Sequence, residues 1–88
     1  MPRIVTLYTK PNCQPCKATK RWLDKNDVAY TVKDVTLDPA DLAAVKELGY
    51  DGVPVTIVNL GDNETELHWH GFHPDNLKKY THSTKEAA

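Results

Sequence analysis

Residues 3–9 (RIVTLYT) form a short, β-branched, nearly continuous apolar run, the pattern of a strand covered on both faces. From Gln14 to about Asn26 the period lengthens. Ala18, Trp22 and Leu23 share one stripe, with Lys17, Lys20, Arg21, Asp24 and Lys25 mostly outside it, which predicts an amphipathic helix. Residues 28–35 (VAYTVKDV) predict a second strand. The next helix, over 37–49, has clear ends. Asp38 is placed to cap it, Pro39 fits its first position, Leu42, Val45 and Leu48 line one face, and Gly49 stops it. A third strand follows at 53–59, then a turn at 60–63 (LGDN). Residues 64–70 alternate, with Thr65, Leu67 and Trp69 on one side and Glu64, Glu66, His68 and His70 on the other, as in a half-solvated edge strand. Pro74 opens a last helix carrying Leu77 and Tyr80, and residues 81–88 read as a flexible tail.

The order β-α-β-α-β-β-α implies an α/β fold, one mixed sheet with helices on both faces. At 88 residues there is room for a single domain, taken as 1–80. A chain of this size buries only about 60% of its unfolded surface, so most of its strong apolar residues belong inside. Eleven basic residues against twelve acidic ones, without a block of either sign, argue against nucleic acid as a partner. No apolar run approaches the ~20 residues of a membrane span, and the N-terminal stretch lacks a signal-peptide core, so a cytoplasmic protein is expected. In that compartment a close cysteine pair points to catalysis or metal binding more than to a structural disulfide.

The two cysteines stand at the junction of the first strand and the first helix, Cys13 just ahead of the helix and Cys16 in its first turn. Free N–H groups and the helix dipole favour an anion there, and the anion at hand is the Cys13 thiolate. Lowering a thiol pKa from ~8.5 to ~7 requires about 2 kcal/mol of differential stabilisation, of which the dipole supplies ~0.3–1 kcal/mol. N–H contacts to sulfur, with Lys10 as a candidate helper, would supply the rest. Cys16 sits one turn further in, sheltered and within bonding reach, as a resolving thiol requires. Pro15 fits the first helical turn and stiffens the link between the sulfurs. A zinc site would need His68, His70, His73 or His82 as further ligands, and the nearest lies about fifty residues beyond Cys16. No metal site is therefore assigned.

A CxxC at the first strand–helix junction, followed by Val53-Pro54 ahead of the third strand, resembles the thioredoxin superfamily. YTKPNCQPC, then LGYDGVPV, then HWHGFHPDNL resemble more closely, along nearly the whole chain, the NrdH-redoxins, small glutaredoxin-like proteins. The matching positions are Tyr8, Thr9, Lys10, Pro11, Cys13, Cys16, Pro54, Val55, Trp69, Gly71, Phe72, Pro74 and Asp75. The resemblance implies a thioredoxin fold, a four-stranded mixed sheet flanked by three helices, with a cis Val53-Pro54 bond beside the redox pair. It implies an oxidoreductase whose reversible Cys13–Cys16 disulfide carries electrons from NADPH-dependent thioredoxin reductase to class Ib ribonucleotide reductase. No bound cofactor is implied, and a monomer is expected.

With Lys10 and Pro15 read as supporting groups from the residues themselves, the resemblance adds Val53 and Pro54 and places the partner surface at Trp69, His70, Gly71, Phe72, His73 and Asp75. His70 stands where the family usually has a hydroxyl residue and His73 where it often has a longer basic or amide one. Gln14-Pro15 mixes in a thioredoxin trait, proline beside the second cysteine. Glutaredoxins typically carry two adjacent glycines before the last helix to receive glutathione, and here the place reads Gly71-Phe72. The competing readings are a glutathione-dependent glutaredoxin and a non-enzymatic metal-binding or interaction module.

Overall fold

The structure, a computed structural model, describes residues 4–59 and 66–86, with side chains in the last helix as far as Thr81. Its elements are β1 (Ile4–Thr9), α1 (Gln14–Lys25), β2 (Thr31–Asp34), α2 (Pro39–Glu47), β3 (Val55–Asn59), β4 (Glu66–His70) and α3 (Pro74–Glu86). The strands lie in the order β2-β1-β3-β4, with β1 and β2 parallel and the other two pairs antiparallel. This is the mixed sheet of a thioredoxin fold. The expected turn at 60–63, and Glu64 and Thr65 of the expected strand, lie outside the described residues.

Register divides the sheet into two faces. Val5 pairs with Val58, and Leu7 with Thr56, which pairs in turn with Trp69. Val5, Leu7, Val58 and Trp69 meet Leu23 of α1 and Leu77 of α3 in one core. On the opposite face Tyr8, Val55 and Ile57 meet Leu42, Val45 and Leu48 of α2. Leu7, Leu23, Val58 and Leu77 are completely buried, and each such side chain contributes about 1.5–3 kcal/mol. Ile4 is exposed, so β1 is covered on both faces only beyond its first residue.

Both helices on the way to the site end in the same kind of turn. After α1, Asp27 takes φ +56°, the Val28 N–H bonds Leu23 O at 3.0 Å and the Asp27 N–H bonds Asp24 O at 3.2 Å. Val28 closes the motif by packing with Leu23 in the core. It is therefore used in a helix cap, and β2 runs over Thr31–Asp34 rather than the whole of the expected 28–35. After α2, Gly49 takes φ +94° with its N–H on Lys46 O, and the Tyr50 N–H reaches Val45 O. Glycine enters this left-handed conformation without a Cβ penalty, which is why Gly49 works as a stop. At the other end, Asp38 caps α2 by accepting from the Ala40 N–H at 2.9 Å.

The buried stripe of α1 is Cys16, Thr19 and Leu23, with Ala18 and Trp22 only half-buried at its margin. Thr19 escaped an apolar reading of the helix because it is polar, yet its hydroxyl donates to Pro15 O at 2.9 Å and is satisfied inside. α3 runs on to Glu86, so residues 81–86, read from the sequence as tail, are helical. Thr81 anchors that extension, buried and donating to Leu77 O.

Candidate active site

β1 delivers the chain to the site and a two-residue turn aims it. Asn12 takes φ +60°, a left-handed conformation that asparagine tolerates better than most residues. Cys13 follows in extended conformation as the N-cap of α1, the place usually held by an oxygen-bearing side chain. Its sulfur does the capping, accepting from the Cys16 N–H at 3.3 Å. Cys13 and Cys16 are joined as a disulfide with Cα atoms 5.2 Å apart. Cys13 is 5% exposed and Cys16 1%, so both residues are buried and the helix mouth is more enclosed than the sequence suggests.

The surroundings of Cys13 Sγ are those of a helix N-terminus. One amide already points at the sulfur, and the first turn of α1 holds no acidic residue to oppose a negative charge. The Val53 carbonyl lies 3.8 Å from Cys13 Sγ, further away than the amide. The Val53-Pro54 bond is cis. Pro54 is buried, and its carbonyl accepts from the Gly71 N–H at 2.8 Å, which ties the start of β3 to the end of β4 beside the disulfide.

The other expected residues distribute unevenly. Lys10 is exposed, and among the described residues its ammonium forms no ion pair. Pro15 is exposed in the first turn of α1, and Val53 is half-buried. Trp69, placed by resemblance on the partner surface, is instead a core residue: it is 7% exposed and packs against Tyr80 with ring centroids 5.9 Å apart. The alternation of β4 turns it with Leu67 toward α3, away from solvent. His70, Phe72, His73 and Asp75 are exposed, with Phe72 at 38%. Gly71 takes φ +88° with the His73 ring nearby, so the Gly71-Phe72 step is a left-handed turn with an aromatic side chain standing out of it.

Tyr50 was not marked by the sequence. The turn after α2 delivers it to the exposed face of β4, where its hydroxyl meets His68 Nδ1 at 2.8 Å and its ring stacks on His70 at 5.8 Å. Nothing in a lone tyrosine after a glycine announces this; only pairing β3 with β4 brings the two histidines beside it. Among the described residues no group of three His, Cys, Asp or Glu side chains gathers as a metal site would require. No helix among them is long and apolar enough to cross a membrane.

Residues 5–60 match the family model for glutaredoxin. The chain belongs to the glutaredoxin family. Within that family it is similar to the glutaredoxin-like protein NrdH of Lactococcus lactis subsp. cremoris, at 30% identity over 76 residues, 86% of this chain and 97% of that protein. It is 31% identical over 84 residues to NrdH of Salmonella typhimurium, covering 96% of this chain and 95% of that one. Among solved structures it resembles the NrdH-redoxin of Escherichia coli, a glutaredoxin-like protein with a thioredoxin-like activity profile. That match has a TM-score of 0.72 at 30% identity, over 86% of this chain and 92% of the other. This glutaredoxin-like chain is a thiol-disulfide oxidoreductase of thioredoxin fold, an NrdH-like redoxin with a CxxC pair at disulfide distance.

Proposed function

We propose that the chain carries electrons from thioredoxin reductase to class Ib ribonucleotide reductase through the Cys13–Cys16 pair. The observation that carries this reading is the sulfur-capped helix mouth, with the Cys16 amide 3.3 Å from Cys13 Sγ and the Val53 carbonyl beside it. The Cys13 thiolate attacks one sulfur of the partner's disulfide, forming a mixed disulfide and releasing the other partner sulfur as a thiolate. The Cys16 thiol gives up its proton and the resulting thiolate attacks Cys13 Sγ. The Cys13–Cys16 bond forms, the second partner sulfur leaves, and two electrons have passed to the partner. The reductase, drawing on NADPH, returns the pair to the dithiol, so the chain itself needs no bound cofactor. Cys16→Ser is expected to accumulate mixed disulfides with its partner and Cys13→Ser to form none and be inactive. Trapping by Cys13→Ser instead would reverse the two roles.

Reduction by thioredoxin reductase rather than glutathione is supported by the turn before α3. A second glycine there would let backbone N–H groups approach the tripeptide's carboxylate, and Phe72 occupies that position. Lys78 and Lys79 lie inside α3, with Lys79 Nζ 5.3 Å from the Tyr80 ring centre rather than over the turn. Comparing initial rates with the two reductants at equal protein concentration tests this. Efficient turnover with glutathione alone would overturn the proposal.

A further inference from the structure

Two adjoining depressions of about 330 and 260 Å³ run along α1 on the side where Phe72 stands, beginning beside Gln14 and Pro15. Ala18, Arg21 and Phe72 line both, so they form one groove that starts at the redox motif. Its apolar lining is Ala18, Trp22 and Phe72, and its polar edge is Lys17, Arg21 and Lys25. Trp22 packs against the core but stays half-buried, and Phe72 is exposed, so both leave apolar surface in the groove.

The cations are arranged in a way the fold does not require. Lys17, Arg21 and Lys25 recur every fourth residue, one above another and about 6 Å apart, a spacing at which like charges repel. Among the described residues none of the three is ion-paired. Asp24, the one acid on α1, accepts from the Tyr30 hydroxyl at 2.9 Å. The whole chain has a net charge of -1, so this ridge is a local excess on a molecule that is otherwise balanced.

We propose that the groove docks an extended acidic segment flanking the disulfide of the protein partner, with an aromatic or large aliphatic side chain between Trp22 and Phe72. In an extended chain alternate side chains lie about 6.8 Å apart, so carboxylates at every second position match the ~6 Å spacing of Lys17, Arg21 and Lys25. The disulfide in this statement rests on the redox-carrier reading; the docking of its flank is a separate property and is measured separately.

The probe is a fluorescein-labelled, cysteine-free peptide with glutamate at alternate positions and one phenylalanine, titrated by anisotropy against the full oxidised chain at low salt. A counterpart with lysine for every glutamate is the control. The acidic peptide is expected to bind about tenfold more tightly or better, with the preference falling away as salt screens the ridge. The double variant R21E/K25E should weaken it about tenfold, since exposed attraction becomes repulsion at two sites, while K46E on α2 should leave it unchanged. Equal binding of the two peptides to the unaltered chain would overturn the proposal, and that comparison needs no variant to fold. So would indifference to R21E/K25E, or a self-associated dimer that excludes the peptide, because a second copy's residues 62–66 (DNETE) also alternate acids. Reduction of a small uncharged disulfide by the same proteins reads the carrier function independently: its failure with peptide binding intact would sink that function and leave the groove.

Discussion

The two faces of the sheet are built to different standards. Under α1 and α3, Val5, Leu7, Leu23, Val58 and Leu77 are at most 2% exposed. Under α2 only Val45 and Val55 are completely buried; Tyr8, Leu42, Leu48 and Ile57 stay half-buried, and the layer ends in Tyr50 against two histidines. The redox site lies where the faces meet, with Cys13 and Cys16 from α1 and Val53-Pro54 from the segment after α2. One face therefore supplies most of the stability, and the thinner one positions a loop beside the sulfur. That division is testable by removing comparable side chains from each.

The largest effect is expected on the thick face. Leu77→Ala should lower the unfolding free energy by about 3 kcal/mol, within the 2–5 kcal/mol of large-to-small changes at fully buried sites. Ile57→Ala, on the thin face and half-buried, should lower it by about 1–2 kcal/mol, because part of the lost surface was already in water. Urea titrations of the two variants check this, and equal losses would erase the distinction between the faces.

Next in size is the cap of α2. Asp38→Ala removes the acceptor for the Ala40 N–H and should lower stability by about 1 kcal/mol. Asp38→Asn, which keeps an oxygen in place, should recover most of that loss in the same titration. Smaller again is Tyr50→Phe. It deletes the hydroxyl that meets His68 but keeps the ring stacked on His70, so the loss should be about 0.5 kcal/mol, the low end for a hydrogen bond, as the contact is exposed. A loss several times larger would mean that Tyr50 holds the 50–54 segment together rather than resting on it.

The contrast between the faces also shows what the sequence could reveal. Element order, the Asp38–Pro39 start and Gly49 stop of α2, and the alternation of β4 were all legible, because each depends on the chain's own period and local backbone chemistry. The cis Val53-Pro54 bond came from resemblance, since proline at the start of a strand has no intrinsic need to be cis. Thr19 and Tyr50 were not legible. Thr19 is polar by composition and satisfied only by its own helix, while Tyr50 acquires its role from two strands paired elsewhere in the chain. Trp69 was assigned two ways, to the Leu67 side by alternation and to the partner surface by resemblance. Burial decides for alternation.

The smallest predicted effect concerns the Tyr30 hydroxyl. Tyr30 packs against the core of the α1 and α3 face while its hydroxyl donates to Asp24 Oδ1 at 2.9 Å. Burial, and then the Asp24 carboxylate, push its pKa up from 10.0 to about 12. The folded chain thus holds the phenolic proton more tightly than the unfolded one. The corresponding stability is fully present below pH 10 and is lost as pH rises from 10 toward about 12. Tyr30 keeps much of its surface in water, so the change is small and is read as a difference. Urea midpoints measured for the native chain and Tyr30→Phe should converge over that interval, the native chain losing stability faster. Parallel behaviour of Tyr30→Phe and the native chain would show that the Asp24 contact does not hold the proton.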